Sequence, residues 1–307
     1  MVLPRYYDNM AGNNIGKNIL KTLAYADIFD CPLTLEELWC LLISKRKVTK
    51  KTVKEYILTL PLVGQYHGYF CFKQRKHIVQ KRIASVLWNN KKFAIAQKIS
   101  GFLSYIPTVL LIGVSGGVAV ENASKDDDID ICIITKKDSL WLTRLLVILL
   151  LQVLGIRRKR GVGAVSNKIC LNMFIEERGM YFSKERQNVY IAHEIVQLKV
   201  LFERNNMYKK FLSVNNWIEK FLPNSIDTKI VRYEDVKKKS SNIVMSLDLT
   251  SFLCYLEPFA KMFQLWYMKK HRTNEEISQY ILAFYPFDYK EKLIEKYHRR
   301  LKKYRIL

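Results

Sequence analysis

Apolar residues recur at helical spacing through the first third of the chain, and turn-forming residues separate the runs. Residues 15–29 carry one such pattern and residues 49–60 carry another. Between them, Thr34 precedes two glutamates, which is typical of a capped helix start. Residues 66–69 lie between aromatic side chains and predict a tight hairpin. Three short helices followed by a two-stranded hairpin predict a winged helix-turn-helix module.

The middle of the chain has shorter apolar runs, of the length that strands need. Residues 88–105 predict a linking helix, and residues 109–114 predict a buried strand. A glycine turn, a short helix over 118–123 and a polar loop then lead to a second strand at 131–134. The pattern after residue 206 is helical. The chain is therefore expected to have an α+β fold in three parts: residues 1–106, 107–205 and 206–307.

Residues 139–156 form the most apolar stretch, and membrane-spanning helices need about 20 apolar residues. Arg144 and Gln152 interrupt this stretch, and the basic residues 157–160 follow it. We therefore expect a buried or half-buried helix of a soluble protein rather than a membrane-inserted one. No membrane partner is expected.

Charge is strongly unbalanced, with 51 Lys and Arg against 28 Asp and Glu and a net charge of +23. Such a charge concentrates polyanions around a protein, so nucleic acid, nucleotide or an anionic surface is the expected partner. The six cysteines form no CxxC pair, which argues against a disulfide framework or a zinc knuckle. A reducing compartment, and hence a cytoplasmic location, is expected.

The first 100 residues hold 17 of the basic side chains and only 6 acidic ones. In a winged helix the third helix enters the major groove and the hairpin contacts the backbone. The side chains expected to contact phosphates are Lys45, Arg46, Lys47, Lys50, Lys51, Lys54, Lys73, Arg75 and Lys76. Winged helices also act as packing or protein-interaction modules, and a run of lysines is often only a solvated face. Both interpretations stay open.

The glycine turn at Ser115, Gly116 and Gly117 follows the first predicted strand directly. Glycines allow tight backbone geometry, and free N–H groups at the start of a helix can bind a phosphate. A bulky side chain at Gly117 is expected to block that approach. Glycine pairs also close many loops without binding anything, so the turn alone is weak evidence.

Asp128 and Asp130 stand two residues apart at the start of the second strand. Side chains alternate across a strand, so both carboxylates are expected on one face. Two neighbouring carboxylates stay ionised only when a cation or bulk water compensates their charge. Mg²⁺ suits such a pair because it binds through one or two carboxylates together with substrate phosphates. The alternative is a solvated acidic loop without function.

The combined motif resembles that of the DNA polymerase beta-like nucleotidyltransferase superfamily. It consists of Gly116-Gly117, a spacer of ten residues and the run Asp128-Ile129-Asp130-Ile131. The resemblance is strongest over residues 107–135, and the N-terminal module is similar to that of a bacterial group within the superfamily. It implies a mixed sheet with helices, flanked by a winged helix and a helical C-terminal part.

The resemblance also implies transfer of a nucleoside monophosphate from a nucleoside triphosphate to a hydroxyl group of an RNA, a protein or a small molecule. Asp128 and Asp130 would be the catalytic residues and the ligands of two Mg²⁺ ions. The residues implied in nucleotide binding are Ser115, Gly116, Gly117 and Asn172.

The chain departs from the superfamily at its third carboxylate, where active members have an acidic residue on a neighbouring strand. Here that strand offers Asn172, which cannot take up a proton, with Glu176 and Glu177 as possible substitutes at its end. His193 and Glu194 are adjacent on a predicted helix, so at most one of them faces the site, and a structural role is favoured. The alternative function is a nucleic-acid-binding regulator, or a nucleotide sensor, with a catalytically degenerate domain.

Overall fold

The computed structural model describes residues 13–158, 165–226, 255–269, 276–284 and 289–306. Within these ranges the chain has an α+β fold with two sheets, one of three strands and one of six. The expected fold class is confirmed at this level. The boundaries at residues 106 and 206 stay predictions.

Three helices and a small antiparallel sheet form the N-terminal segment. The helices are α1 (Asn13–Ala26), α2 (Leu35–Cys40) and α3 (Lys50–Ile57), and the strands are β1 (Leu33–Thr34), β2 (Val63–Tyr66) and β3 (Tyr69–Phe72), in the order β1-β3-β2. The predicted cap at Thr34 is confirmed, because its hydroxyl accepts a hydrogen bond from the Glu37 backbone N–H at 3.2 Å. His67 and Gly68 both have positive φ, as a two-residue hairpin turn of this kind requires.

Helix α4 (His77–Leu103) begins eleven residues earlier than the predicted linking helix at residues 88–105. Between residues 82 and 92 this helix buries two charged side chains, Arg82 and Lys92, whereas Val86 and Leu87 are 47% and 71% exposed. A helix with polar residues on its buried face gives no apolar stripe for sequence analysis to detect. This arrangement is the reason why the start of α4 was predicted wrongly.

The central sheet has six strands in the order β7-β4-β5-β6-β9-β8. These strands are β4 (Val109–Val114), β5 (Ile129–Thr135), β6 (Ile169–Glu176), β7 (Lys199–Glu203), β8 (Glu276–Ile277) and β9 (Ile281–Ala283). β5 and β6 are parallel and the other neighbours are antiparallel. The C-terminal part was expected to be helical, and this is wrong at β8 and β9, which extend the sheet because Met173–Ile175 of β6 offers a free edge to Ile281–Ala283.

Helices cover both faces of this sheet. They are α5 (Gly116–Ala119), α6 (Leu140–Val153), α7 (Val189–Gln197), α8 (Met207–Val214), α9 (Glu257–Lys269) and α10 (Tyr289–Lys303). Ile131 and Ile133 of β5 belong to the core beneath α6 and α9. Cys132 and Ile134 face the opposite core, which also contains Leu23 of the N-terminal segment. Among the described residues, no helix combines the length and the apolarity that crossing a membrane requires.

The N-terminal segment is joined to the rest of the chain by buried polar contacts. The guanidinium of Arg82 forms an ion pair with Glu37 and donates to the carbonyl oxygen of Val120 at 3.2 Å. The side chain of Asn224 accepts from the Val48 N–H and donates to the Trp39 carbonyl oxygen, at 3.0 and 2.9 Å. Through these contacts the N-terminal helices are held against the edge of the central sheet.

Candidate functional site

The glycine turn lies between β4 and the short helix α5, directly beside β5. The Ser115 N–H donates to the backbone carbonyl oxygen of Asp130 at 3.0 Å, which fixes the turn against that strand. Gly116 has φ of +63°, and a Cβ at that position would lie 2.5 Å from Oδ2 of Asp130. Gly117 has ordinary geometry, with its nearest neighbours at 3.5 Å or more. The position that requires glycine is therefore Gly116, one residue before the one singled out from the sequence.

The carboxylates of Asp128 and Asp130 lie together, as their spacing predicts, and the thiol of Cys170 joins them. Donor atoms of the three side chains are all within 4.8 Å of one another. Cys170 is brought there by the parallel pairing of β5 with β6, in which it stands opposite Asp130. These three residues, which we call the donor cluster, could hold a cation.

The electrostatics of the donor cluster follow from burial and from like charge. Burial, and then the nearby Asp128 carboxylate, raise the pKa of Asp130 to about 6. Burial and the two aspartates raise the pKa of the Cys170 thiol to about 12. A positive charge placed among these groups would counter the effect of both carboxylates.

One such charge is already present in the donor cluster. Arg158, in the connection after α6, forms an ion pair with Asp128 through its Nη1. The same Nη1 lies 3.6 Å from Sγ of Cys170. The basic run at residues 157–160 was expected either to form a charged loop or to complement the end of a helix. Arg158 instead contacts the acidic pair, and residues 159 and 160 lie outside the described part of the chain.

Lys92, on α4, contacts the backbone of the acidic loop at residues 125–128. Its fully buried ammonium group donates to the carbonyl oxygens of Lys125 and Asp127, at 3.1 and 2.5 Å. The Asp127 carboxylate accepts from the Ser124 N–H and hydroxyl, both at 2.7 Å, so it closes the turn of its own loop. The loop is therefore fixed in the conformation that presents Asp128 and Asp130.

None of the three candidates for the missing third carboxylate completes the donor cluster. Asn172 donates from Nδ2 to the Ser115 hydroxyl at 3.3 Å, beside the glycine turn. Glu176 stands opposite Thr135, five residues along β5 from Asp130, which is roughly 16 Å at the rise of a strand. Glu177 accepts from a backbone N–H at that same distant end. Neither Glu176 nor Glu177 therefore lies at the donor cluster.

Glu194 on α7 is the carboxyl that does face the pocket. It is half-buried, and burial followed by the charge of Asp130 raises its pKa to about 7. Its neighbour His193 is structural: Nδ1 lies 2.7 Å from the Val189 carbonyl oxygen, and the ring stacks on Tyr25 at 4.0 Å. Burial lowers the pKa of His193 to about 4, so the ring is neutral at pH 7. Both residues nevertheless line the same cavity, so the expectation that at most one of them faces the site is wrong.

A cavity of about 330 Å³ is lined by the glycine turn, Asp130, His193 and Glu194. Cys170 lines a separate cavity together with Arg158. The polar wall of the first cavity consists of the glycine turn, Asp130 and Glu194, and its apolar wall comes from the N-terminal segment, including Tyr25 and Phe29. This volume is at the lower end of the range for small-molecule sites. The N-terminal segment is thus part of the candidate site.

The basic surface of the N-terminal segment only partly follows the sequence prediction. Lys50, Lys51 and Lys54 are exposed on α3. The prediction that Arg75 contacts phosphate is wrong. Its Nε donates to the buried Asp27 carboxylate at 2.6 Å, and its Nη2 pairs with Asp30. The buried charge of Asp27 explains why this arginine turns inward.

Sequence reasoning missed Cys170 and undervalued Glu194. The register of β6 against β5 brings Cys170 to Asp130, and register is a tertiary feature with no local sequence signal. The packing of α7 likewise brings both His193 and Glu194 to the cavity. In chemical terms, the site places a glycine turn at a helix start beside two carboxylates and a thiol, and near the Glu194 carboxyl, whose pKa is raised to about 7. No protein-family model, curated protein or solved structure matches the chain.

Proposed function

We propose that the chain is a nucleotidyltransferase, which transfers a nucleoside monophosphate from a nucleoside triphosphate to a hydroxyl group of an acceptor. One observation carries the proposal: the glycine turn and the acidic pair adjoin so closely that a single methyl group on Gly116 would contact Asp130. Phosphate oxygens on that turn would lie next to the donor cluster. Asp130 and the turn line the same cavity, so a cation held by Asp130 would lie beside a triphosphate held by the turn.

The turn supplies the phosphate site. The N–H groups of Gly116 and Gly117 lie at the start of α5, where backbone donors have no helical acceptor. Ser115 positions the turn through its bond to Asp130 and presents its hydroxyl toward Asn172. Asn172 is then a second polar contact for the nucleotide and not a metal ligand.

The oxygen donors of Asp128 and Asp130 suit Mg²⁺ or Mn²⁺. When bound, the cation supplies positive charge that neutralises phosphate oxygens and lowers the pKa of the attacking hydroxyl. Asp128 must exchange its ion pair with Arg158 for that cation. The released guanidinium can then pair with a triphosphate oxygen, since Arg158 stays tethered at the edge of the site.

Glu194 is the residue we assign as general base. A catalytic base works best when its pKa lies near the operating pH, and a carboxyl with pKa about 7 meets this condition. Glu194 thus takes the place of the third carboxylate, from a helix instead of a strand. Glu194→Gln should lower the transfer rate by about 10²- to 10⁴-fold and leave triphosphate binding unchanged.

The test is incubation with each α-labelled nucleoside triphosphate, a divalent cation and separate pools of RNA, protein and small molecules. We expect one pool to take up label, with release of pyrophosphate. Asp130→Asn should abolish transfer, whereas Asp126→Asn, an exposed neighbour in the same loop, should leave it intact. Equal labelling by wild type and Asp130→Asn would contradict the assignment.

A nucleic-acid-binding regulator is the second candidate, favoured by the exposed lysines of α3. The arrangement of three helices and a hairpin supports a winged helix, whose third helix would be α3. Tight, salt-sensitive duplex binding by the full chain, without turnover of any triphosphate, would favour this function over transfer. Turnover without duplex binding would favour the enzyme.

A further inference from the structure

The metal that fits the donor cluster is set by its third donor, which is a sulfur atom. Asp128 and Asp130 offer carboxylate oxygens, and Cys170 offers Sγ within 4.8 Å of both. Mg²⁺ prefers an all-oxygen shell, whereas thiolate donors favour softer cations, of which Zn²⁺ is the common biological example. The thiol therefore disagrees with a site built only for Mg²⁺.

Two further observations indicate that a cation belongs at this place. The Arg158 guanidinium already lies there, paired with Asp128 and 3.6 Å from the sulfur, so a positive group is accommodated between two of the three donors. Cys170 is also the single half-buried cysteine among the described residues. The other four described are buried: Cys31, Cys40, Cys71 and Cys132. Solvent can thus deliver a metal to Cys170.

We propose that Asp128, Asp130 and Cys170 bind a thiophilic divalent cation, Zn²⁺ in the cell, in a three-ligand site that leaves positions open for phosphate or water. On binding, the cation displaces the Arg158 guanidinium, the Sγ–metal bond forms, and the thiol proton leaves to solvent. Three protein ligands and an open position are the arrangement of zinc sites that act on substrates.

This inference rests on the cation site of the proposed function and not on the transfer reaction itself. It is tested on the full chain, without nucleotide, using Co²⁺ as a spectroscopic probe and Zn²⁺ in competition with a chromophoric chelator. We expect a thiolate-to-Co²⁺ charge-transfer band in the wild type, reversed by Zn²⁺. Cys170→Ser should remove the band and weaken Zn²⁺ binding by about 100-fold or more, because even outer-shell changes cost 10- to 100-fold.

Cys132→Ala is the matched control, since it lies on the neighbouring strand, outside the cluster, and should keep the band. Arg158→Gln should tighten Zn²⁺ binding by about twofold to fivefold, because the cation no longer has to break the half-exposed ion pair between Arg158 and Asp128. Cys170→Asp should reverse the preference, with Mn²⁺ bound more tightly than in the wild type and Zn²⁺ more weakly.

Absence of the band in the wild type would overturn the proposal, as would its persistence in a folded Cys170→Ser variant, with folding checked by circular dichroism. The two proposals fail separately. Zn²⁺ binding without any nucleotide transfer would refute the proposed function alone, and Mg²⁺-dependent transfer without thiolate ligation would refute the zinc site alone.

Discussion

Replacement of Gly116 by alanine tests the contact on which the proposed function rests. Gly116 adopts a φ of +63°, which costs an L-residue about 1–2 kcal/mol. The new Cβ would also lie 2.5 Å from Oδ2 of Asp130, so the carboxylate must leave its position. Moving the Asp130 side chain off its rotamer costs about 0.5–1.5 kcal/mol. Alanine also lowers the conformational entropy of the unfolded chain, which stabilises the folded protein by about 0.5 kcal/mol. The net expectation is a loss of about 1–3 kcal/mol in the free energy of unfolding.

Gly117→Ala is the matched control one residue later. Its Cβ would make ordinary contacts, 3.5 Å from the Ala123 Cα and 3.6 Å from Oδ2 of Asp127, with no backbone strain. Within helix α5 an alanine is even favoured over glycine, by about 0.5–1 kcal/mol. The two variants should therefore differ in stability by about 1.5–4 kcal/mol, although each adds the same single methyl group.

Urea unfolding followed by circular dichroism measures the stabilities, and titration with Mn²⁺ and a nucleoside triphosphate measures the site. We expect Gly116→Ala to weaken cation binding because Asp130 is displaced, and Gly117→Ala to keep it. If the two variants show the same stability and the same cation affinity, the close approach of the turn to the acidic pair has no energetic meaning, and the reasoning is refuted.

Three further predictions concern the groups around the site. Replacing Lys50, Lys51 and Lys54 together by alanine in the full chain should reduce the salt dependence of duplex DNA binding. The slope of log affinity against log salt should flatten by about 2.7, at about 0.9 per phosphate contact, whereas an unchanged slope would assign α3 to packing. Because folding raises the pKa of Glu194 from 4.5 to about 7, its contribution to stability is complete below pH 4.5 and is lost as the pH rises through 7. Thermal unfolding of Glu194→Gln should thus show about 1–2 kcal/mol more stability than wild type at about pH 8 and no gain at about pH 4, whereas a gain at both pH values would exclude titration as the cause. Arg82→Met leaves the Glu37 carboxylate without its buried partner and should cost about 2–3 kcal/mol in urea unfolding; a loss under about 0.5 kcal/mol would show that the pair is not stabilising.

Local signals in the sequence predicted most of the elements and half of the site. The cap at Thr34, the hairpin and the strand before the glycine turn each depend on residues close in the chain, and each is present. The acidic pair followed from the two-residue repeat of a strand. Features with local causes were therefore accessible from the sequence.

The errors arise where distant parts of the chain meet. The inward turn of Arg75 depends on Asp27, 48 residues away, and Glu194 faces the cavity because of the way α7 packs. The strand at Ile281–Ala283 forms because β6 offers it a partner, although the surrounding sequence has helical periodicity. A carboxyl supplied by a helix was also overlooked, since the resemblance directs attention to strands.

Helix α4 carries two buried cations, Arg82 at the N-terminal segment and Lys92 at the acidic loop. They are ten residues apart, which is about 15 Å along a single rod. Because α4 is a rigid helix, it fixes the distance between the N-terminal segment and the acidic loop. A ligand that moves these two parts of the cavity apart must tilt α4 and strain the carbonyl contacts of Lys92. By reciprocity, a cation that stiffens the acidic loop makes the same tilt more costly. Metal binding and the binding of such a ligand are therefore coupled through α4, and each weakens the other by the same factor.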